Sequence, residues 1–138
     1  MWDGWGVSRT HNAASALHSG RMRQTVLIID DHAAFRRMAR AVLEIDGYAV
    51  VGEASDAASG LLEARRLEPE IVLLDVGLPD ESGLDLAARL TCDADAPAVV
   101  LVSSRDRSDL GPLVERSGAR GFIAKAELSA DALERTVR

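Results

Sequence analysis

Ile71-Val72-Leu73-Leu74-Asp75 is the stretch on which the fold turns. Four consecutive apolar residues, two of them β-branched, end abruptly in a carboxylate. A strand that alternates apolar and polar residues has one dry face, whereas an unbroken apolar run must be dry on both. That is the pattern of a strand in a parallel sheet covered by helices. Working outward, the same kind of run recurs at Val26 to Ile29, Tyr48 to Val51, Ala98 to Val102 and Gly121 to Ala124.

Helical patterns lie between the runs. Phe35, Met38, Ala39, Val42 and Leu43 fall at i, i+3, i+4, i+7 and i+8 and form one apolar stripe. Leu110, Leu113, Val114 and Ser117 repeat that spacing more weakly. Asp56 to Leu67 reads as a helix stopped before Pro69, and Gly83 to Leu90 and Ser129 to Val137 complete the set. Gly60 in the second of these helices costs about 0.5–1 kcal/mol against alanine, so loose attachment is expected there. Gly47, Gly118 and Gly121 stand where helices hand over to strands, as C-cap chemistry predicts. Five strands alternating with five helices give an α/β fold, a doubly wound (βα)5 sandwich with a five-stranded parallel sheet and right-handed crossovers.

Composition narrows the functional classes. The chain has 138 residues, 47% of them hydrophobic, which suits one domain with a real core. Aromatics are only 4%, so that core is aliphatic. A net charge of −6 argues against a sequence-independent grip on nucleic acid and against an anionic membrane surface. Nothing approaches the roughly 20 apolar residues of a membrane span, nor a signal-peptide core. Cys92 is alone, which excludes an internal disulfide and fits a reducing cytoplasm; it reads as a small, partly buried residue. Residues 1–23 show no strand or helix period and read as a flexible extension, a cloning remnant, or an upstream start with the natural one at Met22. His11 and His18 there read as solvated side chains. The folded domain is expected over residues 24–138.

In doubly wound folds ligands sit beyond the carboxyl ends of the strands, at the switch point. Strand one ends in Asp30-Asp31, strand three in Asp75, strand four in Ser103-Ser104, and strand five runs into Lys125. Singly, each has a bland explanation: a helix cap for the paired aspartates, a solvated loop lysine. Together they put three carboxylates, a hydroxyl and an ammonium at one edge of the sheet. Two carboxylates about 4 Å apart repel by roughly 4 kcal/mol at an effective dielectric near 20, so three need a cation. Hard oxygen ligands select Mg²⁺ or a similar ion, often completed by phosphate oxygens. Asp75, lying centrally, is the natural nucleophile, since carboxylates form acyl phosphates. Lys125 would add positive charge beside the phosphoryl group and Ser103 a hydrogen bond to it.

Four segments carry a family resemblance: Val26 to Asp31 (VLIIDD), Ile71 to Pro79 (IVLLDVGLP), Val99 to Ser104 (VVLVSS) and Gly121 to Lys125 (GFIAK). They resemble the signature segments of response-regulator receiver domains, the CheY-like superfamily with a flavodoxin-like fold, over Gln24 to Arg138. Residues 30–36 (DDHAAFR) are most similar to the NarL/FixJ branch, whose members usually carry a LuxR-type helix-turn-helix. The resemblance implies that Asp75 is the phosphoacceptor in a two-component phosphorelay. It implies direct Mg²⁺ ligation by Asp31 and Asp75, action of Asp30 mostly through water, and the backbone carbonyl of Gly77 as a further ligand. It makes Ser103 the switch hydroxyl, Lys125 the phosphate-binding lysine, and Phe122 the aromatic that turns inward with Ser103. The implied partners are a sensor histidine kinase or phosphotransfer protein and a downstream effector protein, with a homodimer as a further option. The protein would be a cytoplasmic switch rather than an enzyme. His32 reads as a helix-start residue near the acids, the donor histidine belonging to the kinase.

Three departures from the family pattern bear on behaviour. Phe122 lacks the hydroxyl of a tyrosine. Ala126 follows Lys125 where many relatives have proline, and a cis bond without proline costs about 3–4 kcal/mol, so a trans, mobile loop is expected. Gly77 has no side chain beside the phosphoryl site, which predicts easy water access and a short-lived acyl phosphate. Three other readings stay open: the receiver part of a DNA-binding regulator, a receiver that binds partners without phosphorylation, and an aspartate-nucleophile phosphohydrolase. The last needs a second acid two residues after the nucleophile, where Gly77 stands.

Overall fold

The computed structural model describes residues 23–104 and 110–138. Its elements run β1 Thr25–Ile29, α1 Ala33–Ile45, β2 Ala49–Ala54, α2 Ala57–Leu67, β3 Ile71–Asp75, α3 Gly83–Leu90, β4 Ala98–Ser103, α4 Pro112–Arg116, β5 Gly121–Ala124 and α5 Ala130–Val137. A 3-10 turn, Lys125–Glu127, joins β5 to α5. The sheet is parallel with strand order β2-β1-β3-β4-β5, so the chain reverses its direction of winding between β1 and β3.

The unbroken apolar runs are dry on both faces. Val26, Ile28, Ile71, Leu73, Val100 and Val102 pack with Phe35, Ala39 and Leu43 of α1 and Ala130 and Leu133 of α5. Leu27, Ile29, Val72, Leu74, Val99 and Leu101 face the other way, onto Ala57 and Ala64 of α2, Leu86, Ala87 and Leu90 of α3, and Val114 of α4. Side chains alternate across a strand, so one run supplies two cores.

Local chemistry sets the helix starts. Asp56 accepts the Ser59 N–H at 2.8 Å, Ser82 the Leu84 N–H at 3.1 Å, and Ser129 the Ala132 N–H at 3.0 Å. Each satisfies a donor that the first turn leaves free. Gly47 (φ 93°) and Gly118 (φ 85°) end α1 and lie beyond α4 in the left-handed region, as expected, but α2 ends on Glu68 (φ 48°).

The structure corrects several expectations. Strand two runs on to Ala54, past Gly52 and Glu53, because an edge strand pairs on one side only and tolerates polar residues. The fourth helix is a single five-residue turn entered through Gly111, with Leu113 exposed. Gly121 does not cap a helix: it opens β5, where an added Cβ would meet Thr136 Cγ2 at 2.7 Å. Gly60 does not loosen α2; it is buried, and its bare Cα lets the helix sit against Ile29, whose Cδ1 would lie 2.7 Å from a Cβ there. Cys92 is exposed, in the turn just after α3. Arg23, assigned to the extension, belongs to the folded unit: it donates to the Asp46 carbonyl at 2.8 Å, pairs with Glu134 at 2.9 Å and lies over the Tyr48 ring. His11, His18 and Met22 lie outside the described residues. The Lys125–Ala126 bond is trans and opens the 3-10 turn Lys125–Glu127.

Candidate metal and phosphoryl site

Strand register builds the site. Ile29 is level with Leu74, Asp75 with Val102, and Ser103 with Ala124. Asp30, Asp75, Ser103 and Lys125, the residues at or just past those positions, therefore stand along one line at the carboxyl edge. Asp75, Ser103, Ser104, Lys125, His32 and Gly77 line one open pocket of about 370 Å³, closed on its other sides by Val76, Ser82, Leu84 and Leu110.

Carboxylate oxygens of Asp30, Asp31 and Asp75 and a ring nitrogen of His32 lie within 4.8 Å of one another. Asp30 is fully buried and Asp75 is 4% exposed, so neither charge is solvated by bulk water. The Lys125 ammonium stands 2.6 Å from Asp30 Oδ2 and 3.7 Å from Asp75 Oδ2, and also over the Phe35 ring. That ammonium is the partner of the buried Asp30 Oδ2. Asp30 Oδ1 accepts the His32 N–H at 2.7 Å, and His32 Nδ1 sits 3.2 Å from both Asp30 and Asp31. Burial is the main cause that lifts the Asp75 carboxyl above the usual carboxylate range, and the Asp30 charge adds to it; the Gly77 N–H, at 3.2 Å from Oδ1, and Lys125 pull the other way.

A hard divalent cation fits this donor set. Three carboxylates lie within 4.8 Å of one another with one ammonium beside them, and a hard cation would relieve their repulsion. The paired aspartates are not helix caps, since α1 starts at His32, whose side chain makes no capping bond. His32 itself holds the helix-start place expected for it.

The structure brings together Asp30, Asp31, Asp75, Gly77, Ser103 and Lys125 from the sequence-derived set. Phe122 stands apart: half-buried, it packs at the margin of the α2–α4 core and does not line the pocket. Sequence reasoning missed two neighbours. Arg36 donates from Nη1 to the Asp30 carbonyl and from Nε to Glu53 at 3.0 Å. Asp80 accepts backbone N–H bonds from α2. No motif announces either, because the contacts of both reach partners far along the chain.

A doubly wound sandwich with an acidic pocket at its switch point defines a CheY-like receiver fold. The family model for the response regulator receiver domain matches residues 26–138. The chain is 40% identical over 102 residues to the nitrate/nitrite response regulator protein NarP of Escherichia coli, covering 72% of this chain and 47% of NarP. It is 38% identical over 106 residues to the DNA-binding response regulator MtrA of Mycobacterium leprae, covering 75% of this chain and 45% of MtrA. The crystal structure of a LuxR-family two-component response regulator from Aurantimonas superposes with a TM-score of 0.73 at 27% identity, covering 83% of this chain and 84% of that one. This chain belongs to the response regulator receiver domain family, and it is a phosphorelay receiver with relatives in the LuxR and NarL group. It spans about half the length of the curated relatives it matches. Among the described residues no helix is long and apolar enough to cross a membrane.

Proposed function

We propose that Asp75 accepts the phosphoryl group, beside a Mg²⁺ ion held directly by Asp31, Asp75 and the Gly77 carbonyl and through water by Asp30. The observation that carries this reading is the convergence of three carboxylates with Lys125 at the carboxyl edge of the sheet, by the switch point. When bound, Mg²⁺ would supply charge neutralisation for the acids and the transferring group. An Asp75 carboxylate oxygen forms the new O–P bond while the donor's P–N bond breaks, its electron pair leaving with a histidine imidazole of a partner kinase or phosphotransfer protein. Lys125, already 2.6 Å from Asp30, would exchange part of that pairing for a phosphoryl oxygen. Ser103, buried at the end of β4, would donate to another, drawing β4 and with it Phe122 toward the site. The chain's surface changes; no substrate is turned over, so the protein acts in the cytoplasm as a switch. The Asp75 carboxyl, raised mainly by burial and further by Asp30, supports this role, since perturbed groups in a cleft mark functional sites.

The test is acetyl phosphate with magnesium, read by intact-protein mass. Wild type gains one phosphoryl mass and Asp75→Ala gains none; no gain on wild type, or equal gain on both, overturns the assignment. Output through a DNA-binding domain is a second reading, supported by the similarity to the DNA-binding response regulator MtrA and by the half-length match to the curated relatives. The gene sequence beyond codon 138 decides it.

A further inference from the structure

The acidic pocket stands on two loops, residues 30–32 after β1 and residues 76–82 after β3. Both are fastened to a third place that gives no residue to the pocket lining: the β2–α2 junction, residues 53–58. From the β1 side, the Asp30 N–H donates to the Ala54 carbonyl at 2.9 Å, and Arg36 ties the Asp30 carbonyl to Glu53. From the β3 side Leu78 packs in the same core as Ala54 and Ala57, and among the described residues Asp80 makes the hydrogen bonds across. Asp80 Oδ1 accepts the Ala57 N–H at 2.8 Å and Oδ2 accepts the Ala58 N–H at 3.1 Å.

These are charge-assisted bonds to the positive end of α2, where free N–H groups favour an anion. Asp56 already takes the Ser59 N–H, so the two aspartates divide the helix's first donors between them. The two N–H bonds, Ala57's first, hold the Asp80 carboxyl below the usual range. Within loop 76–82 the Gly83 N–H bonds the Val76 carbonyl at 2.8 Å and Gly77 bridges Ser82, while Glu81 pairs with Arg89 of α3 at 2.6 Å and Leu78 is buried in the core. At its β3 end the Val76 N–H bonds the Val102 carbonyl. Only Asp80, at the loop's apex, ties it to the scaffold that also holds Asp30, among the bonds described.

We propose that Asp80 is a positioning residue for the receiver site: by clamping loop 76–82 to α2 it fixes the Gly77 carbonyl relative to Asp30 and Asp31, while the sheet itself holds Asp75. This rests on the magnesium reading above. Asp80 touches neither cation nor phosphoryl group; it acts through the loop that carries Gly77. Partners bonded to a metal ligand commonly govern affinity by about ten-fold or more, and Asp80 acts on the loop that carries such a ligand.

The experiment compares full-length wild type, Asp80→Ala, Asp80→Asn and Asp56→Ala. Magnesium is titrated calorimetrically, and acetyl phosphate labelling is followed at limiting and saturating magnesium. Asp80→Ala is expected to raise the magnesium Kd by about ten-fold. Its labelling should slow at limiting magnesium and recover when magnesium is saturating. Asp80→Asn, which keeps one acceptor, should fall between. Asp56→Ala removes a cap from the same helical turn without releasing the loop and should keep its Kd within about twofold of wild type. An unchanged Kd in both Asp80 variants overturns the clamp. So does an equal loss in Asp56→Ala, which would mark general fraying of α2, or an Asp80→Ala rate that saturating magnesium fails to restore. Wild type without magnesium affinity instead overturns the reading beneath it.

Discussion

Asp75 is held in conflict with its surroundings when no cation is present. Burial lifts its carboxyl above the ordinary range and Asp30 adds to the lift. A group whose folded pKa exceeds its unfolded pKa contributes stability below the unfolded value and loses it as pH rises through the folded value. The ionised side chain therefore destabilises the metal-free fold at neutral pH. Asp75→Asn is expected to raise the melting temperature in EDTA at pH 7. The gain should shrink toward acid pH, where wild-type Asp75 is protonated; a gain that grows on acidification would contradict the assignment. Two residues on, a Cβ at Gly77 would meet no atom within 4 Å, so a side chain fits beside the phosphoryl position. Gly77→Asn should slow loss of the phosphoryl group about ten-fold, equivalent to about 1.4 kcal/mol in the barrier, by shielding it from water. Faster loss than wild type would refute that. Asp75 and Lys125 were legible because each follows an apolar run that fixes where its strand stops. Asp80 and Arg36 were not, because they bind backbone groups of other segments, which no periodicity records.

At the scale of elements, α2 shows how packing overrides propensity. Glycine at residue 60 breaks the helix ranking by about 1 kcal/mol, yet the position is buried against Ile29. An alanine Cβ there would stand 2.7 Å from Ile29 Cδ1 and 2.9 Å from Cγ2, a branch close to the backbone. Overpacking of that kind costs about 1–3 kcal/mol, more than the propensity gained. Gly60→Ala is expected to lower stability by about 1 kcal/mol in urea unfolding, and by less in an Ile29→Val background, which removes the nearer atom. A stabilising Gly60→Ala would show that the helix can shift away. The same helix is sensitive to acid through Asp80: a carboxyl held below its ordinary pKa contributes stability above the unfolded value and loses it as pH falls through the folded one. The elements themselves were readable because central strands of a parallel sheet are apolar throughout. The exceptions lie at the margins, where β2 carries Gly52 and Glu53 at an open edge and α4 shrinks to one turn behind Gly111.

For the molecule as a whole, the acidic pocket concentrates a charge that the chain already carries in excess. The net charge is −6, so any added salt screens some repulsion. A cation site adds a term of a different form, since a ligand that binds only the folded state stabilises it by RT ln(1 + [L]/Kd). Raising magnesium to a hundred times its Kd should therefore stabilise the protein by about 2.7 kcal/mol. Sodium chloride at matched ionic strength should give only the small screening part. The distinction sharpens in Asp31→Asn, which lowers the excess charge by one but removes a carboxylate oxygen from the cluster. Screening alone predicts that this variant starts more stable and responds to magnesium as it does to sodium. The same loss of response is expected if the site is real, but with one difference: wild type must then show a magnesium response far above its sodium response, and Asp31→Asn must not. Equal magnesium and sodium curves for wild type would reduce the pocket to an ordinary acidic edge, and a retained magnesium response in Asp31→Asn would move the cation elsewhere on the surface.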